Sequence, residues 1–287
     1  MNELSALYNT AKFKETITEQ VRSAISEDLG DQDYTAMLID VSTQADAKII
    51  ARENALICGI PWVNECFKQI SPSTKIDWLI KEGDKVTENQ IICHIHGNAR
   101  GILTAERTAL NFLQTLSATA TLTQQYVNET VGTSARIMDT RKTIPGLRLA
   151  QKYAVSIGGG LNQRIGLYDG ILIKENHIAA AGSIESALKA AEILARAKGL
   201  PIQIEVETLM QLETAIEAGA KLILLDNFDI ASLKKAVTIN NKRAVLEASG
   251  GINFKNLHEI ANTGVDRISI GALTKHIKAI DLSMRFE

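Results

Sequence analysis

The sequence predicts an α/β protein of two domains, an α+β domain followed by a β/α barrel. From Ala135 onward, six short apolar runs rich in β-branched residues alternate with helix-length segments, which is the pattern of a parallel sheet. No GxGxxG turn follows any of these runs, so a barrel, complete or incomplete, is favoured over an open doubly wound sheet. Roughly the first hundred residues lack this alternation, which indicates a separate domain.

The predicted barrel strands have well-separated boundaries. They are Ala135–Asp139, Gly170–Lys174, Pro201–Glu207, Lys221–Asp226, Arg243–Ala248 and Asp266–Gly271. Two of the intervening helices carry clear end signals: Ser183 is an N-cap for Ser183–Ala197, and Gly219 follows the end of Leu209–Glu217. Strand, helix and strand therefore repeat along the second half of the chain.

The amino-terminal part mixes one helix with short strands. The predictions are a helix at Lys14–Glu27, strands at Ala47–Arg52, Leu56–Gly59, Lys75–Ile80 and Gln90–His96, a turn at Gly83–Asp84, and a long helix from Thr104 to about Glu129. Residues Lys81–His96 are similar to the hammerhead sheets of biotinyl and lipoyl carriers. Because Lys85 precedes a strand instead of lying at a hairpin tip, a packing role is favoured over a carrier function.

Composition excludes several classes of function. Lys and Arg total 31 against 33 Asp and Glu. Binding to a nucleic acid duplex, which requires cations that neutralise many phosphates along its length, is therefore not expected. The three cysteines, Cys58, Cys66 and Cys93, show no CxxC spacing, which fits a reducing cytoplasm. No apolar stretch of eighteen residues occurs, and residues 1–25 show no signal-peptide core, so neither export nor a membrane partner is expected.

A local excess of positive charge indicates an anion site. Between Asp139 and His177 six cations accompany three acids, Asp139, Asp169 and Glu175; the cations are Arg141, Lys142, Arg148, Lys152, Arg164 and Lys174. Several charged residues fall at predicted strand ends, where β/α barrels build active sites; these are Arg141, Lys142, Lys174, Glu205, Glu207, Asp226 and Glu247. For Arg148 and Lys152, which follow the first barrel strand, the alternative is that they are only solvated charges.

Carboxylates on two neighbouring strands are candidate metal ligands. Glu205 and Glu207 are two residues apart on one strand, and Asp226 ends the next. Oxygen donors of this kind suit a hard cation such as Mg²⁺ that also contacts substrate phosphates. The alternative is that one of the glutamates forms a structural ion pair with a barrel lysine.

Glycine-containing turns after the last two strands are candidate phosphate sites. Ser249-Gly250-Gly251 follows the fifth strand and Ser269-Ile270-Gly271 ends the sixth, where small residues let backbone N–H groups approach an anion. Packing or capping roles are expected for His94, His96, His258 and His276. For His177 a role in the anion site is supported as well as a packing or capping role. Lys174 would be the amine of a Schiff-base lyase, an alternative from another enzyme class.

Long strings in this chain resemble the quinolinate phosphoribosyltransferases. They are EDLGDQDYT (residues 27–35), LTAERTALNFLQTLS (103–117), DTRKTIPGLR (139–148), KYAVSIGGGLNQRIGLYDGILIKENHI (152–178), IEVET, LLDNF, ASGGI, ISIGALTK and IDLSMRFE. The resemblance implies an amino-terminal α/β sandwich domain at residues 1–112 and an incomplete β/α barrel at residues 113–287. It also implies that the tail from about residue 275 packs back on the first domain.

The resemblance implies a homodimer with shared sites. Arg107 would reach the partner's substrate, and Arg141 and Arg164 would hold the two carboxylates of quinolinate with Lys174 beside them. Lys142 would face phosphoribosyl pyrophosphate, and Thr140 would also bind substrate. Mg²⁺ would bind the pyrophosphate through Glu205 or Glu207 with Asp226, and the turns containing Ser249, Gly250, Gly251, Ser269 and Gly271 would hold the 5-phosphate. Lys142, Lys174, Glu205 and Asp226 would be the catalytic set, with no organic cofactor.

The reaction implied is phosphoribosyl transfer to quinolinate with decarboxylation, a step of NAD biosynthesis. This chain departs from the family at Gln163, where Asn-His-Arg is usual and Asn162-Gln163-Arg164 stands here. A glutamine donates hydrogen bonds but does not carry a proton. Transfer to another pyridine or acidic base therefore stays open as an alternative.

Overall fold

The computed structural model describes Tyr8 and residues 10–287, which divide into two compact units. The first comprises the described part of Met1–Gln124 together with Ile144–Gly159 and His276–Glu287, and the second comprises Gln125–Thr143 and Gly160–Lys275. The predicted boundary between residues 112 and 113 stays a prediction. Among the described helices, none is both long enough and apolar enough to cross a membrane.

The first unit is built on an antiparallel sheet. Its strands are β1 (Gln44–Ala51), β2 (Ala55–Leu56), β3 (Lys75–Trp78), β4 (Lys85–Val86), β5 (Ile91–Asn98) and β12 (Leu282–Phe286), and its helices are α1 (Ala11–Leu29), α2 (Ile60–Ile70), α3 (Ala99–Asn128, to residue 124) and α4 (Arg148–Ile157), with a 3₁₀ turn at Ala36–Leu38. The main sheet has the order β12-β1-β5-β3, and β2 pairs with β4. Buried residues of β5 pack with the buried Trp62 and Phe67 of α2 in one apolar core.

Two local features of this unit bear on the packing role predicted for the segment Lys81–His96. Lys85 lies inside strand β4, where it pairs with Leu56, so it does not occupy a hairpin tip. Nearby, the Glu82 carboxylate accepts hydrogen bonds from the backbone N–H groups of Gly59 and Ile60 and so caps α2. Both contacts support a packing role for the segment Lys81–His96.

The second unit is a six-stranded, wholly parallel sheet. Its strands are β6 (Arg136–Met138), β7 (Ile171–Ile173), β8 (Ile202–Val206), β9 (Leu222–Asp226), β10 (Val245–Ser249) and β11 (Arg267–Ser269), and its helices are α5 (Glu175–Ala181), α6 (Ile184–Arg196), α7 (Leu209–Glu217), α8 (Ile230–Asn240), α9 (Leu257–Ala261) and α10 (Ala272–Lys275). The order β6-β11-β10-β9-β8-β7 places β6 and β7 at the two ends. All six predicted barrel strands are present, and the incomplete barrel is confirmed.

The helix ends follow the predicted local signals. The Ser183 hydroxyl accepts a hydrogen bond from the Ser186 backbone N–H and caps α6, as the sequence predicts. Gly219 follows α7 with a φ of 89°, a left-handed conformation that glycine adopts without the steric cost of a side chain. These caps bring each chain segment back to the sheet, so that the carboxyl ends of the strands share one edge.

Candidate active site

Buried Asp139 joins two segments of the predicted anion site. It follows β6 directly, and its two carboxylate oxygens accept hydrogen bonds from Asn162 Nδ2 at 2.7 Å and from the Gln163 backbone N–H at 2.8 Å. Its own N–H donates to the Leu161 carbonyl at 3.0 Å. A buried carboxylate with these donors is satisfied. The segment carrying Arg141 is thereby held against the segment carrying Arg164.

The two arginines predicted to bind carboxylates lie near each other. Partial burial, together with the charge of Arg141, lowers the pKa of Arg164. Arg164 Nη1 also donates to the Gly170 carbonyl at 3.0 Å, while the Asp169 carboxylate accepts from the N–H groups of Ile165 and Gly166. Two like charges brought together at a half-buried place favour an anionic ligand that would relieve their repulsion.

Lys142 and the turn after β11 are in contact. A Cβ atom added at Gly271 would stand 3.0 Å from Lys142 Cδ and 3.6 Å from Thr140 Oγ1. The Thr274 hydroxyl donates to the Lys142 carbonyl at 2.8 Å, which fixes the lysine backbone against α10. Thr140 and Lys142 therefore lie beside Gly271, a residue of the turn that the resemblance assigns to the 5-phosphate.

The turn after β10 requires glycine. Gly250 has a φ of 96°, and a Cβ there would stand 2.1 Å from Asn227 Oδ1, closer than atoms can approach. Asn227 has a φ of 57° and donates from Nδ2 to Asp226 at 2.7 Å. Ser249 is also the register partner of Asp226. The glycine turn and the predicted metal ligand Asp226 are thus neighbours on adjacent strands.

Lys174 forms an ion pair with Glu205, which is the alternative that the sequence leaves open for one glutamate. Lys174 Nζ donates to both carboxylate oxygens, at 2.8 Å and 3.0 Å, and Glu205 is only 9% exposed. His177 Nδ1 accepts from the Lys174 backbone N–H at 3.0 Å as part of the cap of α5. The contact of His177 is therefore a capping contact.

The three predicted metal ligands differ in their surroundings. Glu205 is paired with Lys174, Asp226 is half-buried, and Glu207 is exposed just beyond the end of β8. Among the described residues, no three His, Cys, Asp or Glu side chains form a group able to hold a metal ion. Oxygen donors at one edge nevertheless fit Mg²⁺, which usually takes one or two carboxylates together with waters and substrate phosphates.

Glu247 was predicted at a strand end but lies in the middle of β10, where it is 1% exposed. It accepts hydrogen bonds from Gln163 Nε2 and from Gln203 Nε2, the latter at 3.0 Å, and the side chain of Ser269 lies close to it. Burial raises its pKa, and these bonds together with the charge of Arg267 oppose the rise. The sequence does not predict this polar cluster, although Gln203, a polar residue within the apolar strand β8, was a signal for it.

The remaining cations of the predicted cluster belong to the first unit. Lys152 is 1% exposed, so the alternative that it is a solvated charge is wrong. Arg148 is half-buried at the start of the same helix. Arg107 is exposed on α3. No contact described above bears on the predicted role of Arg107 across a dimer.

This chain is similar to known proteins of one family. Family models match residues 33–117 as "Quinolinate phosphoribosyl transferase, N-terminal domain" and residues 119–285 as the C-terminal domain of the same family. A probable nicotinate-nucleotide pyrophosphorylase of Bacillus subtilis is 40% identical over 258 residues, covering 90% of this chain and 89% of the relative. A mitochondrial quinolinate phosphoribosyltransferase of Nicotiana tabacum is 38% identical over 290 residues, covering 94% and 82%.

A solved structure matches both units. The nicotinate-nucleotide pyrophosphorylase of Francisella tularensis superposes with a TM-score of 0.92 at 46% sequence identity, over 96% of this chain and 97% of that one. The two family models cover most of the chain, and the relatives named above match it over nearly its whole length. The chain belongs to the quinolinate phosphoribosyltransferase family.

Proposed function

We propose that this chain transfers the phosphoribosyl group of 5-phosphoribosyl 1-pyrophosphate to quinolinate, with decarboxylation to nicotinate mononucleotide. The family match supports the reaction, and the proximity of Arg141 and Arg164 carries the choice of substrate. A guanidinium fork matches a carboxylate with two parallel hydrogen bonds, so two neighbouring arginines suit a pyridine with two adjacent carboxylates. A monocarboxylate such as nicotinate would leave part of that charge uncompensated.

The phosphates of the second substrate are assigned to the other side of the site. Lys142 and Thr140 face the pyrophosphate, and the turns Ser249–Gly251 and Ser269–Gly271 hold the 5-phosphate. The left-handed backbone at Gly250 and Gly251 supports this assignment, because such turns expose consecutive N–H groups to an anion. Ser249 and Gly271 are partly exposed, so their backbones can be reached by a ligand.

The chemistry needs no protein nucleophile. The pyridine nitrogen has the lone pair that attacks C1 of the ribose as the C1–O bond to pyrophosphate breaks, and the cations of the site stabilise the charge that develops on the leaving group. The ring nitrogen is then a pyridinium, which accepts the electron pair of the C2–carboxylate bond when CO₂ departs. A proton on C2 completes nicotinate mononucleotide. Lys174, half-exposed beside Glu205, is assigned to the electrostatic stabilisation of these steps.

Mg²⁺ is proposed to accompany the pyrophosphate, held by Asp226 and by Glu205 or Glu207. When bound, it would supply charge stabilisation to the leaving group. Because Glu205 already binds Lys174 through both oxygens, Asp226 and the exposed Glu207 are the carboxylates most accessible to the cation. No organic cofactor is proposed.

Assembly and location remain proposals. A homodimer, with Arg107 completing the site of the partner subunit, is proposed from the family resemblance and from the exposure of Arg107 on α3. A cytoplasmic location is proposed from the unpaired arrangement of Cys58, Cys66 and Cys93, each of which is buried as a free thiol.

A substrate comparison tests the proposed function. The purified protein is incubated with 5-phosphoribosyl 1-pyrophosphate and either quinolinate or nicotinate, with Mg²⁺ or with a chelator, and CO₂ and mononucleotide are measured. We expect equal amounts of CO₂ and mononucleotide from quinolinate, little product from nicotinate, and loss of turnover with the chelator. Turnover of nicotinate alone would contradict the assignment.

The same preparation separates the alternative from another enzyme class. A Schiff-base lyase would be trapped on Lys174 by borohydride in the presence of its carbonyl substrate. Because Nζ of Lys174 donates to both oxygens of Glu205, we expect no modified lysine by peptide mass.

A further inference from the structure

Glu247 is a buried acid in a mostly apolar strand. Its register partners are Leu224 on β9 and Arg267 on β11, and its sequence neighbours Leu246 and Ala248 belong to the apolar core. Burying a carboxylate costs free energy unless hydrogen bonds compensate it, and a leucine would fill such a place at lower cost. A role beyond packing would explain why this residue type stands here.

The hydrogen bonds of Glu247 lead to the anion site. One oxygen accepts from Gln163 Nε2 and the other from Gln203 Nε2 at 3.0 Å, so each carboxylate oxygen has its own amide donor. The side chain of Ser269, part of the turn proposed to hold phosphate, lies close to this carboxylate, and its hydroxyl donates to the Ala248 carbonyl at 3.4 Å. Gln163 in turn lies in the chain directly before Arg164, the residue assigned to a quinolinate carboxylate.

Gln163 is anchored at two points that come from different strands. Its backbone N–H donates to Asp139, which follows β6, and its side chain donates to Glu247 on β10. With the backbone and the side-chain amide both fixed, the amide has one orientation relative to the sheet. Its Nε2 donor is directed to Glu247.

We propose that Glu247 is a positioning residue that acts through Gln163 to orient the quinolinate end of the site. This inference rests on the proposed function. Glu247 itself touches no substrate: it holds the Gln163 amide, and the Asn162–Arg164 segment keeps the orientation in which Arg164 faces its ligand. A carboxylate held by two side-chain amides, with Arg267 beside it on β11, is preorganised for this task before substrate arrives.

A double-mutant cycle tests the role. The variants are Glu247→Gln, Gln163→Leu and the double variant, with Glu82→Gln as a matched control, because Glu82 is another sequestered glutamate whose burial raises its pKa, but one that caps α2. For each we would measure the melting temperature, kcat, and KM for both substrates. The Gln side chain keeps the size of Glu but replaces one acceptor oxygen with a donor, which opposes the donor of Gln163 or Gln203.

The expected result separates positioning from stability. Glu247→Gln should raise KM for quinolinate about tenfold, the effect of losing one buried hydrogen bond, while KM for the phosphoribosyl substrate changes less than about twofold. The KM for quinolinate of the double variant should be no higher than that of Gln163→Leu. Either substitution already removes the contact that fixes the orientation of the Asn162–Arg164 segment, so the second has nothing more to remove. Glu82→Gln should lower the melting temperature without changing either KM.

Several outcomes would overturn the role. A lower melting temperature of Glu247→Gln with both KM values unchanged would assign Glu247 to stability alone, and additive effects in the double variant would show that it does not act through Gln163. Should Glu247→Gln not fold, Glu247→Asp, which keeps the charge but shortens the reach, is judged by the same criteria. Wild-type turnover of nicotinate in place of quinolinate would refute the proposed function, and the positioning role with it.

Discussion

Arg141→Ala is expected to lower kcat/KM for quinolinate about a thousandfold, because it removes a desolvated, charge-assisted contact to a carboxylate. The fold should survive the change. Arg141 lies beyond the end of β6, outside the apolar core, and Asp139 still joins the two segments of the site through Asn162 and Gln163. Steady-state kinetics with varied quinolinate, together with thermal melting, check both parts.

A matched arginine serves as the control for this prediction. Arg243 precedes β10 at the other edge of the sheet, where it donates to the carbonyls of Ile239 and Asn240 at the end of α8. Arg243→Ala should leave kcat/KM within about twofold, since it cannot reach a ligand at the carboxyl edge. Activity like that of the wild type in Arg141→Ala would refute the site assignment.

Two inactive variants, Arg107→Ala and Lys142→Ala, are expected to regain activity when mixed. In a dimer with shared sites, a hybrid contains one site with both intact residues and one site with both substitutions. Random exchange makes about half of the dimers hybrids, so about a quarter of the wild-type activity should return. Activity is measured after subunit exchange has been verified by native mass spectrometry of differently tagged subunits.

The control for the mixing experiment uses two lesions in one predicted site. Arg141→Ala mixed with Lys142→Ala should recover no activity, because every site of the hybrid then carries one substitution. Recovery in this pair would point to some cause other than complementation across subunits. No recovery in the Arg107 and Lys142 pair, with exchange verified, would contradict the shared site.

Much of the barrel follows from local sequence. The six β-branched runs became six parallel strands, and Ser183 and Gly219 mark helix ends at the expected places, because caps and strand runs depend on residues close in the chain. Strands β4 and β12 were not predicted. The two residues of β4 form a strand only through Leu56 and Ala55, and β12 only through β1, so their structure depends on distant partners.

The site, like the fold, has some features that the sequence predicts and others that depend on distant partners. The family resemblance predicts that Arg141 and Arg164 bind the same ligand, and the charge of Arg141 does act on Arg164. The open alternative of an ion pair for one glutamate is realised by Lys174 and Glu205. The Gln163–Glu247 contact was not predicted, because it depends on the register of β10 against its neighbours and on the path of a loop. Sequence places Glu247 on a strand, but only the folded sheet shows what its carboxylate meets.

A crystal structure with quinolinate bound tests the central claim most directly, because it shows which cations contact each carboxylate. We expect the guanidinium groups of Arg141 and Arg164 to bind the two carboxylates of one molecule, with Lys174 beside them. The pyridine nitrogen should face the side of Lys142 and of the turns after β10 and β11. Quinolinate bound away from Arg141 and Arg164, or with its nitrogen turned from Lys142, would contradict the account.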